Sequence, residues 1–482
     1  MHPRHPIDTA SFGTQERCLC LTSVMQAVTR RVNADLSRRG FIAGVTASIA
    51  SLGLPWPTIA KPAAAQAILF TNFRLFDGSS TSLRDGLSLL VEGNRIKSIA
   101  THGHAAAPDT RVIDCGGRVI MPGLIDSHWH TIFAGMPLQA LMQGDAAYIA
   151  LSAGAEAERT LMRGFTTVRD LGGPSFALKQ AIDEGLVIGP RIYPCGAMIT
   201  STGGHGDLRP LYQLPRSPGG PFVSLRDAEG SMIADGVDEV LLRVREQFMQ
   251  GASQIKIVAG GGVSTPRSPL DMTTYDEPEL RAAVQTANDW NSSVTAHAYA
   301  PLTIQRSISA GVKCIEHAHL MDETTASMMA DKGVWLSIQP FFDEDQAPLP
   351  GDSRAKQLAV FAGTQKAYPL AIKHKIKTAF GSDLLFSKEL AARQGHVLTR
   401  LTHWYSNAEI LKMATATNAE LLGLSGERNP YPGKLGVIEE NAFADLLLVD
   451  GNPVENIELI TKPEKNFLLI MKDGKLYKDT LG

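Results

Sequence analysis

The chain has 482 residues, a hydrophobic fraction of 44%, a charged fraction of 20% and a formal net charge of -3. This balance is typical of a globular protein with a large core, and it excludes collagen-like, disordered and polytopic membrane classes. The 46 basic and 49 acidic residues give no electrostatic footprint for nucleic acid, so no nucleic-acid partner is expected. Five cysteines, none in a CxxC pair, are too few for a disulfide framework.

Residues 1–67 are predicted to be a targeting segment. Ser37-Arg38-Arg39-Gly40 leads into a weakly apolar run that ends at Leu54, which is too short to span a bilayer of about 30 Å. Ala65-Gln66-Ala67 offers a small-residue cleavage site. The paired arginines resemble the bacterial twin-arginine signal, so we expect a periplasmic or secreted protein without stable membrane insertion. An uncleaved anchor is the alternative, and either Met1 or Met25 is the start.

The residue patterns of segments 68–118 and 435–482 are typical of short strands separated by turns. Candidate strands lie at 67–76, 87–92, 95–100 and 111–114, and again at 444–450 and 466–472. Asp473-Gly474 between apolar runs is typical of a hairpin turn. We therefore expect a small β-sandwich domain built from both termini.

The middle of the chain, residues 119–434, alternates between strand-like and helix-like patterns. Eight short apolar runs are predicted as strands, at 119–126, 166–170, 191–199, 254–258, 293–296, 313–316, 334–339 and 377–381. Helical patterns lie between most of them, for example at 237–251, 277–290 and 323–332. Eight predicted strands that alternate with helices predict an α/β fold, a (β/α)8 TIM barrel. A doubly wound open sheet is the alternative.

Metal-binding residue types sit at the predicted strand ends, where the loops of a barrel build active sites. They are His128 and His130 after strand one, Lys256 in strand four, His297 after strand five, His317 after strand six and Asp383 after strand eight. Residues i and i+2 of a strand face the same side, so the two histidines after strand one can hold one cation.

Lys256 is unusual because it lies inside the apolar run Gln254-Ile255-Lys256-Ile257-Val258. A buried ammonium is costly unless it is paired, and a structural pair with an acid is one interpretation. A neutral amine can instead react with CO2 to give a carbamate that bridges two cations. Two metal ions roughly 3.5 to 4 Å apart would share and acidify one water.

These motifs resemble the amidohydrolase superfamily of metal-dependent hydrolases, in its binuclear branch with a carboxylated lysine. The resemblance covers residues 68–482 and rests on the motifs at 121–130, 255–264, 296–299, 315–318, 380–383 and 444–453. It implies a first metal on His128, His130 and Asp383. It implies a second metal on His297 and His317, with the carbamate of Lys256 joining the two. Zinc is expected. Asp383 would take a proton from the bridging hydroxide, the nucleophile, and pass it to the leaving nitrogen.

Two further motifs, at 167–171 and 203–207, are similar to the subgroup that contains ochratoxinase, Xaa-Pro and Xaa-Arg dipeptidases and imidazolonepropionase-like proteins. The implied reaction is cleavage of the amide bond of a dipeptide or N-acyl amino acid. His205 and Tyr299 are the candidate substrate-binding residues, and Trp129 is expected to narrow the pocket. For Arg169 and Asp170, a structural ion pair under the site is the alternative to a functional role. Segments 208–235 and 341–352 are predicted lids that encode substrate choice.

Other functions stay open on the sequence alone. A lactonase, an esterase or a hydrolase of carbamate or urea-type xenobiotics would use the same ligands. A mononuclear deaminase would lack the lysine and would carry a glutamate where this chain has Ala298-Tyr299-Ala300. A non-catalytic binding protein is the remaining alternative. The expected partner is a small-molecule amide substrate, and a homo-oligomer is expected.

Overall fold

The computed structural model describes residues 66–101, 107–209 and 230–481. Nearly all of the predicted signal segment, and residues 210–229 of the first predicted lid, lie outside them. The strands in chain order are β1 Ile68–Leu75, β2 Arg84–Glu92, β3 Arg95–Ala100, β4 Arg111–Pro122, β5 Leu124–Trp129, β6 Phe165–Asp170, β7 Arg191–Pro194, β8 Met198–Thr200, β9 Ser231–Ile233, β10 Ile255–Val258, β11 Val294–Ala298, β12 Cys314–His317, β13 Trp335–Ile338, β14 Thr378–Phe380, β15 Leu446–Val449, β16 Phe467–Lys472 and β17 Lys475–Asp479.

The α-helices are α1 Leu138–Gln143, α2 Ala146–Met162, α3 Phe176–Asp183, α4 Val237–Gln250, α5 Glu277–Asp289, α6 Pro301–Ala310, α7 Glu323–Asp331, α8 Asp352–Lys373, α9 Lys388–Ala391, α10 Gln394–Thr399, α11 Asn407–Lys412, α12 Asn418–Leu422 and α13 Pro463–Asn466. The predicted helices at 237–251, 277–290 and 323–332 are therefore present as α4, α5 and α7. Two of them begin at an aspartate whose side chain accepts a backbone N–H, Asp276 and Asp322. None of the helices in these ranges is long and apolar enough to cross a membrane.

Strands from both termini form one seven-stranded sheet, in the order β17-β16-β15-β4-β1-β2-β3. All neighbours are antiparallel except β1 and β4, which are parallel. The sheet has its own apolar core, which includes Phe70, Leu89, Ile120, Leu448 and Met471. The prediction of a strand-rich domain made from both ends of the chain is confirmed.

The middle of the chain forms the predicted barrel. The parallel strands β5-β6-β7 and β14-β13-β12-β11-β10-β8 are buried along nearly their whole length, as expected when helices cover a parallel sheet. The backbone N–H of Ser253, just before β10, donates to the carbonyl of Pro194 at the end of β7 (2.8 Å) and so links these two strands. The N–H of Asp383 donates to His128 (2.8 Å) and links the end of β14 to β5. With β7 and β8 as two halves of the third strand, eight strands close the ring.

Two predicted strand boundaries are wrong. The run at 119–126 is not one strand, because β4 ends at Pro122 in the terminal sheet and β5 begins the barrel at Leu124. Gly123 makes this tight passage, since a Cβ there would lie 2.2 Å from the Thr166 hydroxyl. The run at 191–199 is interrupted after Pro194, where Gly196 adopts a positive φ of 74° that breaks the strand.

Candidate metal centre and active site

The barrel brings all six predicted metal ligands to the carboxyl ends of its strands. His128, Lys256, His297 and His317 lie within β5, β10, β11 and β12, slightly earlier than the loop positions predicted for the histidines. His130 follows β5 directly, and Asp383 lies three residues after β14. The four histidines and the lysine are at most 3% exposed, so they form a buried cluster.

Side-chain distances define the centre of this cluster. His128 Nε2 lies 3.0 Å from Lys256 Nζ and 3.4 Å from Asp383 Oδ1. His130 Nε2 lies 3.3 Å from the same carboxylate oxygen. His128, His317 and Asp383 offer ligand atoms that all lie within 4.8 Å of one another. The ring centres of His297 and His317 are 4.4 Å apart, so His297 extends the cluster next to His317.

Each of the four imidazoles has one ring nitrogen hydrogen-bonded to an acceptor outside the predicted ligand set. The partners are the Glu316 carboxylate for His128 Nδ1 (2.9 Å), the Gly172 carbonyl for His130 Nδ1 (3.2 Å), the Gly261 carbonyl for His297 Nε2 (2.9 Å) and the Gln339 side-chain oxygen for His317 Nδ1 (2.7 Å). Because all four partners are acceptors, each ring donates there, and its other nitrogen keeps a lone pair for a cation. Metal-binding histidines are held in this way.

The protonation states of the cluster also suit a cation. Burial, helped by the neighbouring Lys256, lowers the pKa of His128 to about 4. Burial also lowers the pKa of His297, His317 and Lys256, which favours neutral nitrogen donors. Burial alone would raise the pKa of Asp383, but His128 and His130 overcome it and lower that pKa to about 2. Neutral imidazoles beside an ionised carboxylate are the donor set that zinc-like ions prefer.

Glu316 is a site residue that the sequence analysis missed. Its buried carboxylate accepts hydrogen bonds from His128 Nδ1 and from Arg169 (2.6 Å). The alternative of a structural ion pair between Arg169 and Asp170 is therefore wrong, since Asp170 instead accepts from the Thr131 N–H and the Ser175 hydroxyl. An acid directly before the strand-six histidine, inside a short apolar strand, is the signal that could have revealed it.

Two ligand positions have strained backbones. His317 has a φ of 78° and Asp383 a φ of 49°. Such left-handed conformations in non-glycine residues cost of order 1–3 kcal/mol and cluster at functional sites. Here they turn both side chains toward the shared centre.

Trp129 does not line the pocket, contrary to the expectation. Its side chain is 1% exposed and belongs to the barrel's apolar core, with the Arg163 guanidinium 5.8 Å from the ring centre. Successive side chains of a strand point to opposite faces, so a residue between two inward histidines points outward.

His205 and Tyr299, the predicted substrate-binding residues, lie beside the cluster. The His205 ring stacks on His297 at 4.4 Å, and its Nδ1 has no hydrogen-bond partner among the described residues. The Tyr299 ring stacks on His317 at 4.8 Å. Both line one cavity of about 410 Å³ that opens above the ligands, together with part of the second predicted lid.

A glycine loop, residues 260–268 after β10, supports these rings. The Gly261 carbonyl holds His297, and a Cβ at Gly262 would lie 2.2 Å from His205 Nδ1. Lys356 on α8 holds the loop, because its ammonium donates to three of the loop's carbonyls, those of residues 262 (3.0 Å), 265 (2.8 Å) and 268 (3.3 Å). The positions of both rings therefore depend on this loop.

A closed parallel barrel with this donor set at its carboxyl ends defines a hydrolase of the (β/α)8 class. The chain belongs to the amidohydrolase family, whose model matches residues 119–477. It is 33% identical to ochratoxinase from Aspergillus niger over 375 residues, which are 75% of this chain and 76% of that protein.

Two solved structures support the same assignment. A prolidase crystallised with N-methylphosphonate-L-proline is 33% identical, with a TM-score of 0.79, over 86% of this chain and 100% of that one. A Xaa-Pro dipeptidase with bound methionine in its active site is 27% identical, with a TM-score of 0.74, over the same shares. The chain is thus a hydrolase that acts on C–N bonds of small molecules.

Proposed function

We propose that this protein is a metal-dependent amidase that cleaves the C–N bond of a dipeptide or an N-acyl amino acid, with two divalent ions at its centre. The observation that carries the proposal is the convergence of four buried imidazoles, a buried amine and an ionised carboxylate from five strands of the barrel. The proline analogue and the methionine in the two similar structures support an amino acid as one half of the substrate.

The residues present fit the proposed ions. His128, His130 and Asp383 would hold the first, and His297 and His317 the second. Lys256 is buried, and burial lowers its pKa, so its neutral amine can attack CO2. Carboxylation would form an N–C bond and release one proton from the nitrogen to solvent, and the carbamate of Lys256 would supply oxygen ligands for the two ions. Two bound zinc ions would supply Lewis acidity for the water and the amide carbonyl.

The chain's own groups then handle the proton and the substrate. Asp383 is ionised at neutral pH and lies at the centre of the ligand cluster. It accepts a proton from the attacking water and delivers it to the leaving nitrogen. His205 and Tyr299 line the same cavity, beside His297 and His317. They orient the substrate carbonyl and carboxylate by hydrogen bonds.

The test is a substrate panel on zinc-loaded protein. Dipeptides and N-acyl amino acids should be hydrolysed faster than simple lactones, and elemental analysis should find close to two zinc ions per chain. Hydrolysis of lactones alone would favour an esterase, and a metal content well below one ion per chain would refute the binuclear centre.

The bridging role of Lys256 has its own test. Lys256→Ala should abolish amide hydrolysis, and short carboxylic acids should restore part of it because they supply the missing oxygens. Lys472→Ala is the matched control, since Lys472 is also a buried lysine but donates to Gly189 in a different part of the fold. The control should keep its activity and show no response to carboxylic acids. Full activity of Lys256→Ala would contradict the role.

We also propose export by the twin-arginine route, on the strength of the Ser37-Arg38-Arg39-Gly40 motif. In a bacterial host, changing Arg38 and Arg39 together to lysine should leave the folded protein in the cytoplasm. Unchanged export of that variant would contradict the proposal.

A further inference from the structure

A row of aromatic rings leads away from the metal centre along one side of the cavity. Phe133 stacks on His130 with ring centres 5.8 Å apart and planes 19° apart. Phe386 continues the row at 6.4 Å from Phe133. Both phenylalanines line the cavity and are only half buried. We call Phe133 and Phe386 the aromatic wall.

The surrounding backbone is shaped around the first ring of this wall. A Cβ at Gly173 or at Gly230 would lie 3.2 Å from Phe133 Cζ, which is closer than ordinary packing. Side chains at either position would crowd the ring. The two glycines therefore let the backbone approach the ring from two directions and fix its place beside His130.

The second ring is held at a cost in backbone strain. Phe386 has a φ of 60°, a conformation that is a genuine outlier for a bulky residue. Its N–H donates to the Phe133 carbonyl (3.0 Å), which joins the two members of the wall. Strain of this kind persists where the surrounding structure imposes it, and it clusters at ligand-binding positions.

The two sides of the metal centre have different chemistry. His205 and Tyr299 stack on His297 and His317 and give that side polar groups. Beside His130 the cavity is lined instead by the aromatic wall. Aliphatic side chains, among them Leu138, Leu141, Ile149 and Leu390, line the same cavity. A substrate that spans the centre would place its carboxylate half on the polar side and its acyl group on the apolar side.

We propose that the aromatic wall is the acyl subsite and selects amides whose acyl group is large and apolar, with aromatic groups preferred. The inference rests on the proposed amidase function, and it adds the class of acyl group to it. Burial of each methylene in such a subsite should raise kcat/KM about fourfold, and an aromatic ring gains further from contact with the wall's rings.

The first test compares N-acetyl-, N-butanoyl-, N-hexanoyl- and N-phenylacetyl-L-alanine on zinc-loaded wild-type protein. We expect kcat/KM to rise along this series. A flat or falling series would overturn the acyl subsite while leaving the amidase function intact. No hydrolysis of any of these substrates, or of dipeptides, would instead overturn the proposed function and the inference with it.

The second test removes the rings. Phe386→Asn suits a positive φ, because asparagine tolerates that conformation, so the fold should lose no stability. The ratio of kcat/KM for the phenylacetyl over the acetyl substrate should fall about tenfold. Phe133→Leu keeps an apolar side chain without the ring and should lower the same ratio.

Leu186→Asn is the control, because Leu186 is 76% exposed and does not line the cavity. It should leave the ratio unchanged. Folded Phe386→Asn and Phe133→Leu proteins that both keep the wild-type ratio would overturn the proposal.

Discussion

Replacing Glu316 with glutamine tests how the metal centre is held. Glu316 is fully buried and joins His128 to Arg169. Burial alone would raise its pKa, but Arg169 and His128 hold the pKa well below its usual value, so the carboxylate is ionised at neutral pH. The substitution keeps the shape of the side chain and removes its charge.

Two separate losses are expected from Glu316→Gln. Arg169 keeps a buried charge without its counter-ion, and breaking one partner of a buried pair costs about 3–5 kcal/mol of unfolding free energy. His128 loses the carboxylate that orients its ring, and loss of such a partner typically lowers metal affinity about 10–100-fold. The first loss is one of stability, whereas the second concerns zinc alone.

Glu156→Gln separates the two effects. Glu156 on α2 is a buried carboxylate outside the predicted ligand set, and it pairs with Arg159 (2.7 Å) and with Arg163 (2.8 Å), which follows that helix directly. Urea denaturation of the metal-free proteins should show both variants destabilised. Zinc titration against a competing chelator should show weaker binding only for Glu316→Gln. Equal zinc affinity in that variant and the wild type, or equal weakening in both variants, would refute the reasoning.

Three further predictions concern the glycine loop and the buried histidines. Lys356→Met removes three charge-assisted hydrogen bonds to the loop. Because the loop also holds His297, kcat/KM should fall about tenfold and zinc affinity should weaken, and Lys356→Arg should restore part of both. Gly262→Ala should also lower kcat/KM, because its Cβ would displace His205; wild-type kinetics would contradict this contact. In metal-free protein, burial lowers the pKa of His128 and His319 from 6.5 to about 4. These groups take up protons in the unfolded chain first, so the unfolding free energy should fall as pH drops from 6.5 to 4, by about 3 kcal/mol for each group. Urea denaturation across that window measures it, and a flat profile would contradict it.

The sequence predicted the barrel and the cluster of ligands because both depend on local patterns. Short apolar runs alternating with helical periodicity indicate a parallel barrel, and the carboxyl ends of its strands meet at one edge. His128, His297, His317 and Asp383 therefore converge whatever the details of the loops. The same rule of alternation that places His128 and His130 on one face of the strand also places Trp129 on the other face. The sequence pattern itself therefore indicates that Trp129 points away from the pocket.

Contacts between distant parts of the chain could not be predicted in this way. Arg169 and Glu316 are 147 positions apart, and their pairing depends on which strands lie across the barrel. Asp170 was the nearer acid in sequence, but it lies next to Arg169 in β6, where adjacent side chains point to opposite faces. Sequence distance is therefore a poor guide to ion pairs inside a barrel.

Backbone strain is a second feature that the sequence conceals, and it links the fold to the chemistry. His317, Asp383 and Phe386 all adopt positive φ values, which are uncommon for residues other than glycine and an outlier for a bulky residue such as Phe386. His317 ends β12, whereas Asp383 and Phe386 lie in the segment that follows β14, and all three line the cavity. Left-handed backbone at a strand end turns the chain sharply, so a side chain that would follow the strand instead points into the cavity. The buried strands that precede these turns are anchored on both faces by the core, and this anchoring stabilises conformations that the isolated segments would avoid. The rigidity of the barrel is therefore what permits two predicted metal ligands and one ring of the aromatic wall to be placed around the same cavity.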